Sequence, residues 1–176
     1  MPDTTLGRLA PALALLAAMA FVEPAFAAES KPMICSDPKH REFDFWTGQW
    51  QVHGANQVLA GENSITIEQE GCVLVERWRG AKGGTGQSLN YYDPVAQKWK
   101  QRWVGLGLIL EMQGGFENGS MVLEGPLHYV QQKRTTLLRG TWSLLPDGRV
   151  RQHFVESADS GKTWTEWFDG YYSPNR

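Results

Sequence analysis

An alternation with a period of two begins at Trp46 and most constrains what this chain can fold into. One set of alternate positions is apolar or small and the other is polar: Trp46, Gly48, Trp50 and Val52 against Thr47, Gln49, Gln51 and His53. Successive side chains of a β-strand point to opposite faces, so this pattern predicts a strand with one buried side.

Similar runs recur along the rest of the chain, with short turn signals between them. Pairs such as Asn118-Gly119 and Asp147-Gly148 supply the positive φ angles that tight hairpins need, and Gly61, Gly71 and Gly114-Gly115 are also interpreted as turns. No amphipathic helical run of useful length separates the strands. The predicted strands are 46–54, 62–70, 72–79, 86–92, 98–104, 106–113, 120–125, 134–144, 149–156 and 164–172.

Ten short strands joined by hairpin-length connections form either a barrel or a two-sheet sandwich. Greek-key sandwiches need longer crossovers, and closure of the sheet removes exposed edges. We therefore predict an all-β chain whose fold is a single antiparallel up-and-down β-barrel of about ten strands, with the sandwich as the alternative.

The N-terminal region has the pattern of a secretory signal. Arg8 precedes an apolar run from Leu9 to Val22, and Ala25-Phe26-Ala27 is a small-x-small cleavage site. The run is shorter than the roughly 20 residues of a membrane span; an uncleaved anchor is the alternative. We predict a signal peptide at 1–27, an irregular N-terminal segment at 28–42 and a barrel domain at 43–176. The mature chain would be exported, periplasmic or secreted, with no membrane span.

The net charge argues against two classes of partner, nucleic acids and anionic membranes. The full chain carries a formal net charge of −2 and has no basic run. Nucleic acids and anionic membranes both reward dense Lys and Arg, so neither is expected as a partner. No feature of the sequence identifies a protein partner.

Cys35 and Cys72 are the only cysteines. In an exported chain two cysteines favour one disulfide, here across 37 residues, which would tie the N-terminal segment to the third strand. The alternative of a redox pair lacks the Cys-x-x-Cys spacing.

Two motifs and the four histidines suggest no reaction. Residues 157–164 match the Asp-box pattern, Ser-x-Asp-x-Gly-x-Thr-Trp, which braces a hairpin turn. The glycine-rich stretch 80–86 lacks the spacing and the helix of a P-loop and predicts a flexible hairpin. His40, His53, His128 and His153 are scattered without metal-ligand spacing. We predict no metal and no cofactor.

Polar residues on the apolar faces of four strands are the strongest functional signal. Glu76 shares a face with Leu74 and Trp78, and Gln101 lies between Trp99 and Trp103. Gln152 lies between Val150 and Phe154, and Asn90 shares a face with Ser88 and Tyr92. A buried polar group without a partner costs about 1–3 kcal/mol, so these groups must bond to each other, to water or to a ligand.

Two interpretations of this polar set remain open. It either braces a packed barrel as a self-satisfied network, or lines a cavity with apolar walls and a few polar contacts, the usual form of a small-molecule pocket. A single bulge would instead invert the alternation and place Arg139, Thr141 and Arg151 inside.

Seven segments together resemble a known family. They are 43–52, 71–72, 88–93, 99–104, 121–125, 148–152 and 164–171. The resemblance is to the bacterial domain of unknown function 1579, a calycin-like group, and it implies a lipocalin-like barrel in which Gly48-x-Trp50 closes one end. It implies no established activity. Related nitrobindin barrels hold haem through a His that has no clear counterpart here.

The leading hypothesis is a non-enzymatic barrel that binds a small, partly apolar or amphipathic ligand inside. The polar contacts would be Glu76, Asn90, Gln101 and Gln152, and the apolar walls Trp50, Trp78, Trp99 and Trp103. One alternative is a hydrolase-like or isomerase-like enzyme with Glu76 as a base whose pKa burial raises. Another is a filled barrel that serves as a structural or protein-interaction domain.

Overall fold

Ten antiparallel strands close into a barrel in a computed structural model that describes residues 33–175. Each strand pairs with its neighbours in sequence, and the first pairs with the last, which confirms the predicted up-and-down barrel. The strands are β1 (Gly48–Gly54), β2 (Leu59–Glu68), β3 (Val73–Gly80), β4 (Thr85–Asp93), β5 (Lys98–Gly105), β6 (Leu108–Glu117), β7 (Ser120–Tyr129), β8 (Arg134–Leu144), β9 (Val150–Ser157) and β10 (Thr165–Pro174).

Helical structure in this part of the chain is confined to three short segments. Helix α1 (Pro38–Arg41) lies within the segment predicted to be irregular, and two 3₁₀ helices span Asp44–Trp46 and Gln69–Gly71. None of these is long and apolar enough to cross a membrane. The predicted signal peptide, 1–27, lies outside the described residues.

Some predicted boundaries are wrong. Trp46 belongs to the first 3₁₀ helix, and β1 begins at Gly48. Gly61 and Gly114-Gly115, interpreted as turns, lie inside β2 and β6. Gly61 and Gly114 serve close packing rather than chain reversal, because a Cβ at either position would overlap a backbone carbonyl oxygen of the neighbouring strand.

The predicted interior face is confirmed on all four strands that carry the polar set. Glu76, Asn90, Gln101 and Gln152 are buried. The inverted alternation is wrong, because Arg139 and Arg151 form ion pairs on the outer face. Arg139 bonds Glu124 at 2.7 Å and Arg151 bonds Asp169 at 2.8 Å.

One end of the barrel, here called the closed end, lies where β2 turns into β3 and β4 into β5. Phe43 is fully buried there and contacts Trp46, Trp99 and Trp142 at centroid distances of 5.0–5.6 Å. The predicted disulfide between Cys35 and Cys72 is present and ties the segment before α1 to the start of β3.

The opposite end, here called the open end, carries the β3–β4, β5–β6 and β9–β10 hairpins. The Asp-box residues form the last of these, as predicted. Asp159 accepts hydrogen bonds from the backbone N–H of Lys162 and of Thr163 and from the Thr163 hydroxyl, at 2.6–3.1 Å. The Trp164 indole donates to the Gly161 carbonyl at 3.1 Å. These bonds make the motif a hairpin brace.

Candidate functional site

A cavity of about 140 Å³ occupies the barrel interior toward the open end. Two residues that line it, Leu106 and Trp167, are also exposed at the surface, so the cavity reaches solvent at this end. Its wall is mainly aromatic and aliphatic, with three polar side chains and one phenol. The lining residues are Glu76, Trp78, Gln101, Trp103, Leu106, Leu110, Gln152, Phe154, Trp167, Phe168 and Tyr172.

Glycines on the inner face allow the aromatic walls to lie flat against the strands. The ring of Trp78 covers Gly61 and the ring of Trp103 covers Gly86, so that a Cβ at either glycine would overlap the indole. Phe154 covers Gly140 and Phe168 covers Gly170 in the same way: Phe154 Cε1 and Phe168 Cε1 stand where those Cβ atoms would be. The rings occupy space beside the wall, which leaves the middle of this end unfilled.

A bulge in β10 brings Trp167 to the cavity. The pairing of β10 with β9 shifts register between Glu166 and Phe168, so Trp167 departs from the alternation that would point it outward. Its indole donates to the Tyr129 hydroxyl at 3.1 Å and its ring stacks on Phe154 at 5.9 Å. Strict alternation along the sequence could not have placed Trp167 here.

A directional chain of hydrogen bonds runs along the polar side of the interior and ends at Glu76. Gln101 Nε2 donates to Asn90 Oδ1 at 2.7 Å, and Asn90 Nδ2 donates to Ser88 Oγ at 2.8 Å. Ser88 Oγ donates to Glu76 Oε2 at 2.6 Å. Neighbouring residues in register on β3, β4 and β5 supply these groups, so the antiparallel pairing itself builds the chain.

A second branch reaches Glu76 from β2 and β10. Asn63 Nδ2 donates to Glu76 Oε1 at 2.7 Å and to the Tyr172 hydroxyl at 3.3 Å. Tyr172 in turn donates to Gln152 Oε1. Asn63 is 2% exposed, and its Oδ1 has no hydrogen-bond partner within residues 33–175. Six strands, β2, β3, β4, β5, β9 and β10, therefore contribute side chains to the interior network around Glu76.

Burial sets the ionisation of both titratable groups on the cavity wall. Desolvation raises the pKa of the Glu76 carboxyl above its usual value, and the hydrogen bonds from Ser88 and Asn63 oppose that rise. Desolvation, with the nearby Glu76 charge, raises the pKa of Tyr172 well above its usual value. No Lys, Arg or His of the described chain forms an ion pair with Glu76 within 4.0 Å.

The structure brings together five of the eight residues predicted as ligand contacts. Glu76, Gln101, Gln152, Trp78 and Trp103 line the cavity.

The other three predicted contacts do not line it. Asn90 lies within the hydrogen-bond chain between Gln101 and Ser88 and does not reach the cavity surface. Trp99 packs edge-on against Phe43 at 5.6 Å. Trp50 packs over Gly48, and its indole donates to the Trp46 carbonyl at 3.0 Å. Trp50 and Trp99 therefore contribute to the core rather than to the cavity surface.

The sequence-based prediction missed Asn63 and Tyr172, which lie on the inner faces of β2 and β10. Asn63 shares the inner face of β2 with Ile65, and Tyr172 shares the inner face of β10 with Gly170 and Phe168. The alternation of buried and exposed positions therefore identifies both residues. Leu106 was predicted as the first residue of the strand 106–113, and this boundary is wrong: Leu106 lies in the β5–β6 turn, where strand periodicity carries no information.

Comparison with known proteins adds no family or relative. No protein-family model matches the chain, and no curated protein matches it significantly. The resemblance to the domain of unknown function 1579 therefore stays a prediction. Within the described residues, no three His, Cys, Asp or Glu side chains form a group that could hold a metal ion.

Proposed function

We propose that the barrel binds a small, partly apolar ligand in the cavity at its open end. The observation that carries the proposal is a solvent-connected cavity whose aromatic walls surround a few fixed polar groups, Glu76, Gln101 and Gln152. Apolar walls with a small number of oriented polar groups are the usual composition of small-molecule sites.

The volume limits what enters. About 140 Å³ is close to the roughly 150 Å³ of an engineered apolar cavity that accommodates benzene. One six-membered ring or a short branched chain fills such a space. A longer ligand would extend outward on the side of the exposed residues Leu106 and Trp167.

Two amide atoms on the wall are available to orient a polar end. Nε2 of Gln101 and Oε1 of Gln152 are engaged within the barrel. The opposite atoms, Oε1 of Gln101 and Nε2 of Gln152, take part in no hydrogen bond among residues 33–175. One acceptor and one donor therefore remain for the ligand.

The test is a binding panel of molecules that fit the cavity: indole, benzyl alcohol, 1-hexanol and choline. We expect at least one to bind saturably, measured by tryptophan fluorescence and by a rise in the unfolding temperature. Leu110→Phe adds volume at the cavity wall and should abolish binding, whereas the same change at the exposed Leu144 should not. No saturable binding by any probe would contradict the proposal.

An enzyme is the second candidate, and the carboxyl of Glu76 is what favours it. Its pKa is raised by burial, and it faces a cavity that solvent reaches, as general bases in enzymes often do. Within the described part of the chain, Tyr172 is the only other titratable side chain on the cavity wall, and its raised pKa keeps it protonated at neutral pH. Any turnover found with a panel compound should vanish in Glu76→Gln; turnover that persists would exclude Glu76 as the base.

The cavity also favours ligand binding over the third alternative, a filled barrel acting through its loops. A filled interior would leave no space beside Trp78 and Trp103, whereas both rings border the open volume.

A further inference from the structure

We propose that the ligand is a small organic cation, with an ammonium group seated among the aromatic walls and against Glu76. The inference rests on the proposed binding function and specifies its ligand class. Three features carry it: a carboxyl on the cavity wall that has no ion-pair partner among residues 33–175, aromatic faces over which no cation of that range lies, and a matching size.

The hydrogen bonds around Glu76 are arranged for a carboxylate. The Asn63 amide nitrogen can only donate, and it donates to Oε1. Ser88 already accepts the hydrogen bond from Asn90, so its own proton points to Oε2. Both oxygens therefore act as acceptors, and the interior provides oriented donors for a negative charge.

A counter-ion for that charge is missing among the described residues. The groups that face Glu76 from the surrounding strands are neutral: Asn63 from β2, Ser88 from β4, and Gln152 and Tyr172 across the interior. Buried charges in proteins are normally paired. A ligand that brings a positive charge would complete the pair, and an anionic ligand would be repelled.

The aromatic rings around the cavity are free of cations, unlike those on the outer surface. Outside, Arg134 lies 4.0 Å from the Tyr129 ring centroid and Arg139 lies 4.3 Å from that of Trp164. No cation–π contact in residues 33–175 involves Trp78, Trp103 or another cavity-lining ring. Aromatic faces in a desolvated site attract quaternary and protonated amines.

The size of the cavity fits a methylated ammonium. A trimethylammonium group occupies about as much space as one small ring, within the limit that about 140 Å³ sets. Such a group needs no hydrogen bonds, which suits a wall that is mostly apolar. Its substituent would extend toward solvent on the side of the exposed residues Leu106 and Trp167.

Binding of a cation should release protons. Desolvation raises the pKa of Glu76 in the empty barrel, and an adjacent positive charge would lower it again. The affinity should therefore increase with pH until the carboxyl is fully ionised. Tyr172, the other titratable group that faces the site, stays neutral over that range because its pKa is raised well above its usual value.

The decisive experiment compares choline with 3,3-dimethyl-1-butanol, in which carbon replaces the ammonium nitrogen. Isothermal titration calorimetry of the full chain should show choline binding at least tenfold more tightly. Glu76→Gln should reduce this preference to near unity. Glu117→Gln removes an exposed carboxylate at the opposite end and should leave the preference unchanged.

Proton release gives a readout that does not depend on a variant. Titrations in buffers with different ionisation enthalpies, across the pH range in which the affinity rises, should show protons released on choline binding and none with the uncharged isostere. Circular dichroism checks that Glu76→Gln folds.

The outcomes separate the two proposals. Equal affinity for both compounds, or binding only of neutral probes, overturns the cation inference and leaves the binding function standing. A preference for choline that survives Glu76→Gln in a folded barrel also overturns it. Failure of every compound to bind overturns both.

Discussion

The two ends of the barrel use the same residue types for opposite purposes. At the closed end Phe43, Trp46 and Trp142 pack ring against ring and are fully buried. At the open end Trp78 and Trp103 lie over Gly61 and Gly86 and border a cavity. The difference lies in what fills the centre: Phe43 and Trp46, from the segment before β1, pack against Trp142 at the closed end, whereas the rings of the open end border the cavity. A count of tryptophans alone therefore does not predict whether a barrel is filled.

The largest effect expected concerns the closed end. Trp46→Ala removes a fully buried side chain and should lower the free energy of unfolding by about 3–5 kcal/mol. Trp103→Ala, at the half-buried cavity wall, should cost about half as much. Chemical denaturation of both variants measures the difference; equal losses would mean that the open end is packed as tightly as the closed one.

The disulfide should stabilise the protein without affecting the cavity. Replacing Cys35 and Cys72 together by serine releases a loop of 37 residues, and the entropy of loop closure predicts a loss of about 3–4 kcal/mol. Affinity for any ligand found should stay the same, because the bridge lies at the closed end. A large change in affinity would show that the two ends are coupled.

Adding one methyl group at the open end should occlude the cavity. Gly86→Ala would push the Trp103 ring inward, costing about 1–3 kcal/mol as overpacking does and weakening ligand binding. Gly115→Ala is the matched control, since a Cβ there meets nothing within 4 Å and should change stability by about 0.5 kcal/mol or less. Similar effects of the two changes on binding would contradict the role assigned to Gly86.

The ionisation of Glu76 should make the open end sensitive to pH. Because burial raises the pKa of Glu76 above its usual value of 4.5, the folded state holds its proton more tightly than the unfolded state. Stability should therefore decrease as pH rises from about 4.5 toward the folded-state pKa. Glu76→Gln should flatten this part of the curve, as thermal unfolding across pH would reveal; an unchanged slope would exclude Glu76 as its source.

The smallest effect expected is at the Asp-box hairpin. Hydrogen bonds, first of all from the Thr163 side chain, lower the pKa of Asp159 from 3.8 to about 2. The stabilisation that ionised Asp159 gives the folded state should be fully present above pH 3.8 and be lost as pH falls through about 2. Asp159→Asn should be slightly less stable than the wild type at neutral pH. This difference in the free energy of unfolding should shrink as the pH is lowered toward 2. If the difference in stability between variant and wild type does not change with pH, lost packing rather than ionisation of Asp159 causes it.

Strand alternation predicted most of the fold and part of the site, for a physical reason. The period of two follows from the backbone, so the buried faces that carry Glu76, Asn90, Gln101 and Gln152 could be identified without a structure. Gly61 and Gly114 were misplaced because a glycine that permits close packing and one that permits a turn look alike in sequence.

The depth of a residue along the barrel axis could not be predicted in this way. Trp99 and Trp103 share one face of β5, yet Trp99 packs against Phe43 and Trp103 borders the cavity. Alternation tells inside from outside but does not say where the interior is filled. That depends on the segment that covers the closed end and on the bulge that turns Trp167 inward.

The pairing of β1 with β10 makes the cavity depend on closure of the ring. Val52 pairs with Tyr172 across 120 positions of sequence, and contacts this distant slow folding because the chain must close a long loop to form them. Strand β10 also carries Trp167, Phe168 and Tyr172 of the cavity wall. A chain in which β10 has not joined the sheet would lack these three residues of the wall, so ligand binding would report that the ring has closed.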